Sequence, residues 1–127
     1  MLKDDIIKCA VSGQLPQVDM TCPERALYYT LKDVYDNYRK GLINKAQGEA
    51  QKNKALRQYD LDCGAFTSAM RILRDNAKLW QQIELAANHY RLERSLDNAD
   101  AFIEAVYNVN IKTMAAEIAE GSLSNDN

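Results

Sequence analysis

Residues 45–95, KAQGEAQKNKALRQYDLDCGAFTSAMRILRDNAKLWQQIELAANHYRLERS, decide the fold. No proline interrupts them, and glycine occurs only at Gly48 and Gly64. Leu56, Tyr59, Cys63, Phe66, Met70, Leu73, Ala77 and Trp80 alternate spacings of three and four, the pattern of an apolar seam along one side of a helix. The spacing predicts one continuous central helix of about 50 residues, about 75 Å long at ~1.5 Å per residue. The register changes after Trp80: the next apolar set is Ile83, Ala87 and Tyr90, which places a three-residue stammer there. Gly64 is the weak point of the seam, because glycine inside a helix costs about 1 kcal/mol against alanine.

Upstream, Gly41-Leu42-Ile43 is a three-residue turn, followed by Asn44 and Gln47 at capping-box spacing. The turn ends a helix that opens at Thr21-Cys22-Pro23-Glu24, a stronger capping box with proline in the first turn. Leu27, Leu31, Val34 and Tyr38 give this helix its apolar face, and Arg39, Lys40 and Gly41 suit its C-terminus. So short a turn forces the two helices antiparallel and sets Cys22 opposite Cys63, within one helical turn. Further upstream, Ile6, Ile7, Ala10 and Val11 share a face of a helix over residues 2–12, with Gly13 as its stop. Downstream, a fourth helix is expected from Ser95–Asp97 to about Tyr107. Asn108 and Asn110 are expected to interrupt it before a short fifth helix with Ile111, Met114, Ala115 and Ile118. The tail from Gly121 is expected to fray.

The expected architecture is all-α: an antiparallel helical hairpin with one very long central helix, four to five helices in total, and a single domain over residues 1–120. With 127 residues and 46% apolar side chains, the chain is long enough to bury a core. The second helix shields only about 28 Å of the long one. Seven tyrosines, one tryptophan and two phenylalanines are more aromatic surface than a two-helix layer hides. A homo-oligomer, with a dimer favoured, is therefore expected along Leu56, Tyr59, Phe66, Met70, Leu73, Ala77 and Trp80. No run of apolar residues is long enough for a membrane span. Three cysteines, at spacings matching no metal framework, and an N-terminus without a signal-peptide run point to a reducing cytoplasmic setting.

A formal charge of −2 makes no global case for nucleic acid, but the charge is unevenly placed. Between residues 39 and 57 stand six bases, Arg39, Lys40, Lys45, Lys52, Lys54 and Arg57, against the one acid Glu49. Such a cluster can contact phosphates or an acidic protein surface, although a run of charges more often simply solvates a helix face. The segment from Asp97 to Asp126 carries six acids against Lys112, so head-to-tail pairing of chains is a further outlet for the charges. Arg71, Arg74 and Lys78 form a second basic stripe beside the seam, a place for a phosphate-bearing ligand or for ion pairs across a dimer. His89 with Glu93 is at most half of a metal site. Asp60 and Asp62 lie on different helix faces, and Cys63 has no histidine in reach. Tyr28, Tyr35, Tyr38 and Tyr59 read as packing residues. Neither catalysis, a cofactor nor a metal is called for.

The run Cys22-Pro23-Glu24, Leu27-Tyr28, Leu31 and Asp33-Val34-Tyr35, continued by Gly41, Lys45-Ala46-Gln47-Gly48-Glu49, Lys52 and Lys54-Ala55-Leu56, resembles small α-helical proteins encoded in prophages of Gram-positive bacteria. The resemblance covers about residues 22–60 and implies a phage-derived accessory protein acting in a bacterial cytoplasm. Such proteins often bind a host protein, antiviral defence components among them, and some capture nucleotide signals. The leading expectation is a non-enzymatic, oligomeric helical interaction protein that binds and inhibits a host or phage protein. Binding of a nucleotide or nucleic acid through the basic residues is the alternative, and a structural phage component the third.

Overall fold

The computed structural model describes the backbone of residues 2–16, 19–75 and 77–125, and the side chains of residues 2–16, 19–74 and 78–111. Every regular element among the described residues is helical: α1 (Lys3–Ser12), α2 (Cys22–Arg39), α3 (Lys45–Asp75), α4 (Gln81–Leu92) and α5 (Leu96–Asn125), with a 3-10 turn over Ala77–Trp80. None of these helices is long and apolar enough to cross a membrane. Contacts divide the chain into two compact units, Met1–Cys63 and Gly64–Asn127. The long central helix belongs to both.

In the first unit, local chemistry places the helix ends where the sequence predicts. Gly13 closes α1 with φ 74°, a left-handed conformation that favours glycine. The capping box of α2 is complete: the Thr21 hydroxyl accepts from the Glu24 amide at 3.3 Å, and the Thr21 amide donates to the Glu24 carboxylate at 2.8 Å. Asn44 and Gln47 form the same reciprocal pair for α3, at 2.8 and 2.9 Å. Gly41, with φ 76°, turns the chain between the two helices.

Ile6, Ala10, Met20, Leu27, Tyr28, Leu31 and Ala55 form the core here, with Leu56 and Tyr59 of α3 packed against it. Each fully buried large side chain in such a cluster contributes about 1.5–3 kcal/mol. Lys3 at the start of α1 pairs with Asp60 at 2.8 Å, and Arg39 at the end of α2 donates to the Val11 carbonyl at the end of α1. The helix α1 therefore runs alongside α2 in the same direction, and α3 runs against both. Tyr59 hydrogen-bonds Cys63 and lies within electrostatic reach of Glu24, which puts the first turn of α2 at the level of residues 59–63.

The second unit corrects the expected 50-residue helix. α3 has 31 residues and ends at Asp75; the 3-10 turn and the separate α4 follow. The rings of Phe66 and Tyr90 both meet Phe102, at 5.1 and 5.8 Å between centroids. In an unbroken helix those two residues would stand about 36 Å apart. The chain has therefore folded back, and it does so at the stammer. Ala77, Trp80 and Ile83 are spaced by three, the repeat of a 3-10 helix. Gly64, the other weak point, stays helical within α3.

The turn from α4 into α5 is clamped by Asn98, whose side-chain amide donates to the Glu93 carbonyl at 2.8 Å, while its backbone amide donates to the Ser95 hydroxyl at 3.2 Å. A second correction concerns Asn108 and Asn110: α5 passes through both without interruption. The Asn110 side chain donates to the Ala65 carbonyl of α3 at 2.9 Å and to Val106 within α5 at 3.2 Å, so it ties two helices together instead of ending one. Ala69, Ile83, Val106 and Val109 are the buried centre of this unit, surrounded by Ala65, Phe66, Ile72, Leu73, Leu79, Phe102 and Ala105. The tail expected from Gly121 falls where only the backbone is described, helical as far as Asn125.

Candidate ligand groove at the helical hairpin

The short turn between α2 and α3 brings the last two turns of one helix against the first two of the other. On α2, Val34, Tyr35 and Tyr38 follow three-four spacing and share a face; on α3, Lys45, Gly48, Glu49 and Lys52 do the same. These seven residues line one groove of about 250 Å³. Val34 is buried at its floor, Tyr35 and Lys52 are half-buried, and Lys45 and Glu49 stand exposed at the rim. Tyr38 is 49% exposed, so the sequence reading of this tyrosine as a packing residue holds only for part of its ring. Neither lysine has an ion-pair partner among the described residues, although Glu49 is one turn from each.

The six bases of the hairpin region do not act as one patch. Arg39 is committed within the fold: it meets Asp36 at 3.4 Å as well as the Val11 carbonyl. Lys45 and Lys52 share the groove. Lys40 is exposed near the turn, while Lys54 and Arg57, also exposed, fall at helical positions away from the Lys45–Lys52 face. Arg71, Arg74 and Lys78 are all exposed in the second unit.

The proposed assembly seam is also divided. Leu56 and Tyr59 pack against the core of the first unit, Phe66 and Leu73 against that of the second. Met70 is 61% exposed, Trp80 is exposed, and the side chain of Ala77 lies outside the described residues. The buried stripe of α3 instead includes Ala55, Asp62 and Ala69, at intervals of seven, where sequence pattern favours their larger neighbours Leu56, Cys63 and Met70. Small side chains let a neighbouring helix approach closely, so bulk is a poor guide to which rung faces inward.

A second cluster, polar and enclosed, surrounds the start of α2. Burial opposes the charge of Glu24, but the amide and hydroxyl of Thr21 bind its carboxylate and hold its pKa below the ordinary value. Burial pushes the Tyr59 phenol well up, reinforced by its hydrogen bond to Cys63 and by the charges of Glu24 and Asp60. Burial likewise raises Tyr28, with Tyr29 adding to it. Asp62 is only 5% exposed and accepts from the Gln58 side chain at 2.8 Å, while Asp60 is exposed and paired with Lys3. The two aspartates stand on different faces, as their spacing requires. All three cysteines are free thiols. Among the described residues no group of three or more potential ligands is placed to hold a metal, and His89 is exposed on α4.

The groove residues that sequence reading passed over are Val34, Tyr35, Tyr38, Gly48 and Glu49. Their signal was the matching three-four spacing on both sides of a three-residue turn. Comparison with known proteins adds no relative: no family model, curated protein or solved structure matches the chain.

Proposed function

We propose that this protein works by binding: a non-enzymatic helical interaction protein that engages another macromolecule through the exposed end of its α2–α3 hairpin. The supporting observation is the groove, which sets two unpaired lysines over an apolar floor beside a half-exposed tyrosine ring. Tyrosine rings beside a small apolar depression are hot-spot composition, and the lysines supply a charged rim that can select the partner. The resemblance of residues 22–60 to prophage-encoded proteins extends the proposal to a phage-derived protein in a bacterial host, with a host protein as target and inhibition as outcome.

Self-association belongs to the same proposal. Met70 and Trp80 remain exposed on the seam, and the outer face of α4 adds Leu85 and Leu92, the latter 86% exposed. Affinity capture from bacterial lysate tests the binding reading when wild-type protein is run beside a Lys45→Glu/Lys52→Glu variant. A protein retained by the wild type and lost by the variant is the expected result. Identical captures from the two would sink the assignment to this end of the hairpin. A sedimentation mass equal to one chain at micromolar concentration would remove self-association.

A further inference from the structure

Resting on that reading, we infer that the groove takes an acidic segment of a protein partner, with one carboxylate between Lys45 and Lys52 and one apolar side chain on the floor formed by Val34, Tyr35 and Gly48. Size is the first argument. At about 250 Å³ the groove is smaller than the ~300–1,000 Å³ of pockets that enclose a small-molecule ligand. It has room for a side chain and its neighbouring backbone.

Charge is the second argument. Lys45 and Lys52 flank Glu49 one helical turn away on either side, so the lining carries two positive charges and one negative. A single carboxylate balances that surplus. A phosphate dianion would exceed that surplus beside the Glu49 carboxylate. The lining also lacks arginine, the side chain whose planar fork suits phosphate oxygens in pairs.

The third argument is Gly48. It lies inside α3, where glycine is unfavourable, with no positive φ to require it. A Cβ built there would meet only Ile43 Cδ1, at 3.8 Å, an ordinary contact. Nothing in the packing excludes alanine, yet the missing side chain leaves the groove floor open. An occupant explains a residue that the fold does not need.

The test is a titration of the isotope-labelled full chain, followed by amide NMR, with three probes: the blocked peptide acetyl-Glu-Leu-Phe-Asp-amide, its charge-reversed counterpart acetyl-Lys-Leu-Phe-Lys-amide, and adenosine monophosphate. The acidic peptide, at millimolar concentration, is expected to shift Tyr35, Tyr38, Gly48 and Glu49, and to bind at least about tenfold more tightly than either other probe. Lys45→Glu and Lys52→Glu are each expected to weaken it about tenfold. Gly48→Leu should abolish binding, and Gly48→Ala, which keeps the helix intact, should weaken it severalfold.

Equal binding of the charge-reversed peptide or of the nucleotide overturns the inference, as does an acidic peptide that shifts no groove residue. Failure here is separable from failure of the binding reading. If the lysine double variant still loses a captured protein while the acidic peptide leaves the groove untouched, the hairpin end remains a binding site and its acidic occupant is ruled out.

Discussion

Around Ala55 and Asp62, α3 meets a core threaded with polar groups: Glu24 and Asp62 are buried, and the Tyr59 phenol is bound to Cys63. Around Ala65 to Leu73 the same helix meets a core centred on aliphatic and aromatic contacts, with Phe66, Tyr90 and Phe102 ring against ring. One continuous helix thus serves two cores of different chemistry. The first unit is ordered at both ends by reciprocal capping boxes; the second is closed by side-chain amides, Asn98 across one turn and Asn110 between two helices. Apolar packing resists cavities and is indifferent to pH. A buried polar network holds only while its groups keep their charge states.

The largest expected effects come from opening cavities. Leu31→Ala in the first unit and Ile83→Ala in the second remove fully buried side chains, and each should cost about 3 kcal/mol in chemical denaturation. Hydrogen exchange should place the loss of protection in the unit that carries the substitution. An even loss over residues 3–60 and 65–110 from either variant would mean one cooperative core and would end the comparison.

Next in size are the charge-dependent effects of the first unit. Thr21→Ala should cost about 1 kcal/mol by removing the cap. The Glu24 carboxyl sits below its ordinary value of 4.5 in the folded chain, so its contribution is complete above that pH and disappears as the pH falls through the folded value. Tyr28 and Tyr59 are raised above the ordinary 10.0, so their contribution is complete below that pH and is lost as the pH rises through the folded values. Denaturation midpoints from pH 6 downward, compared between wild type and Glu24→Gln, isolate the acid arm. Parallel curves for the two proteins would show that Glu24 is not what the acid limb reports.

The glycines of α3 give a smaller and sharper contrast. Gly64→Ala and Gly48→Ala should each stabilise the chain by about 0.5–1 kcal/mol, since neither added Cβ meets an obstacle. Only the second should impair ligand binding, because only Gly48 lines the groove. The smallest effect is Tyr38→Ser, within about 0.5 kcal/mol in stability by the rule for exposed positions, while removing half of the groove's aromatic wall.

Much of the helical framework was readable from residues alone, because its signals are local. Thr21 with Glu24, Asn44 with Gln47, and the two positive-φ glycines each satisfy backbone groups within a turn of themselves, so four residues suffice to recognise them. The two corrections share one cause. Asn110 in sequence is a poor helix former, and its bond to the Ala65 carbonyl, 45 positions away, is invisible until α5 lies on α3. The stammer near Trp80 was visible as spacing, but a change of period does not say whether a helix adjusts its winding or reverses. The ring contacts of Phe102 with Phe66 and Tyr90 decided for reversal, and their burial repays the broken helix.

The groove stands between the two cases. Its basic residues were marked by composition, but only the antiparallel crossing selected Lys45 and Lys52 from six and set Tyr35 and Tyr38 across from them. The long central helix is where both influences meet. Sequence determined that α3 exists, where it starts and that it carries an apolar stripe, since propensity, capping and three-four periodicity act along the chain. Tertiary structure decided where it ends and which rung faces inward. Ala69 is 2% exposed beside the exposed Met70, because close approach between helices selects the small side chain over the bulky one.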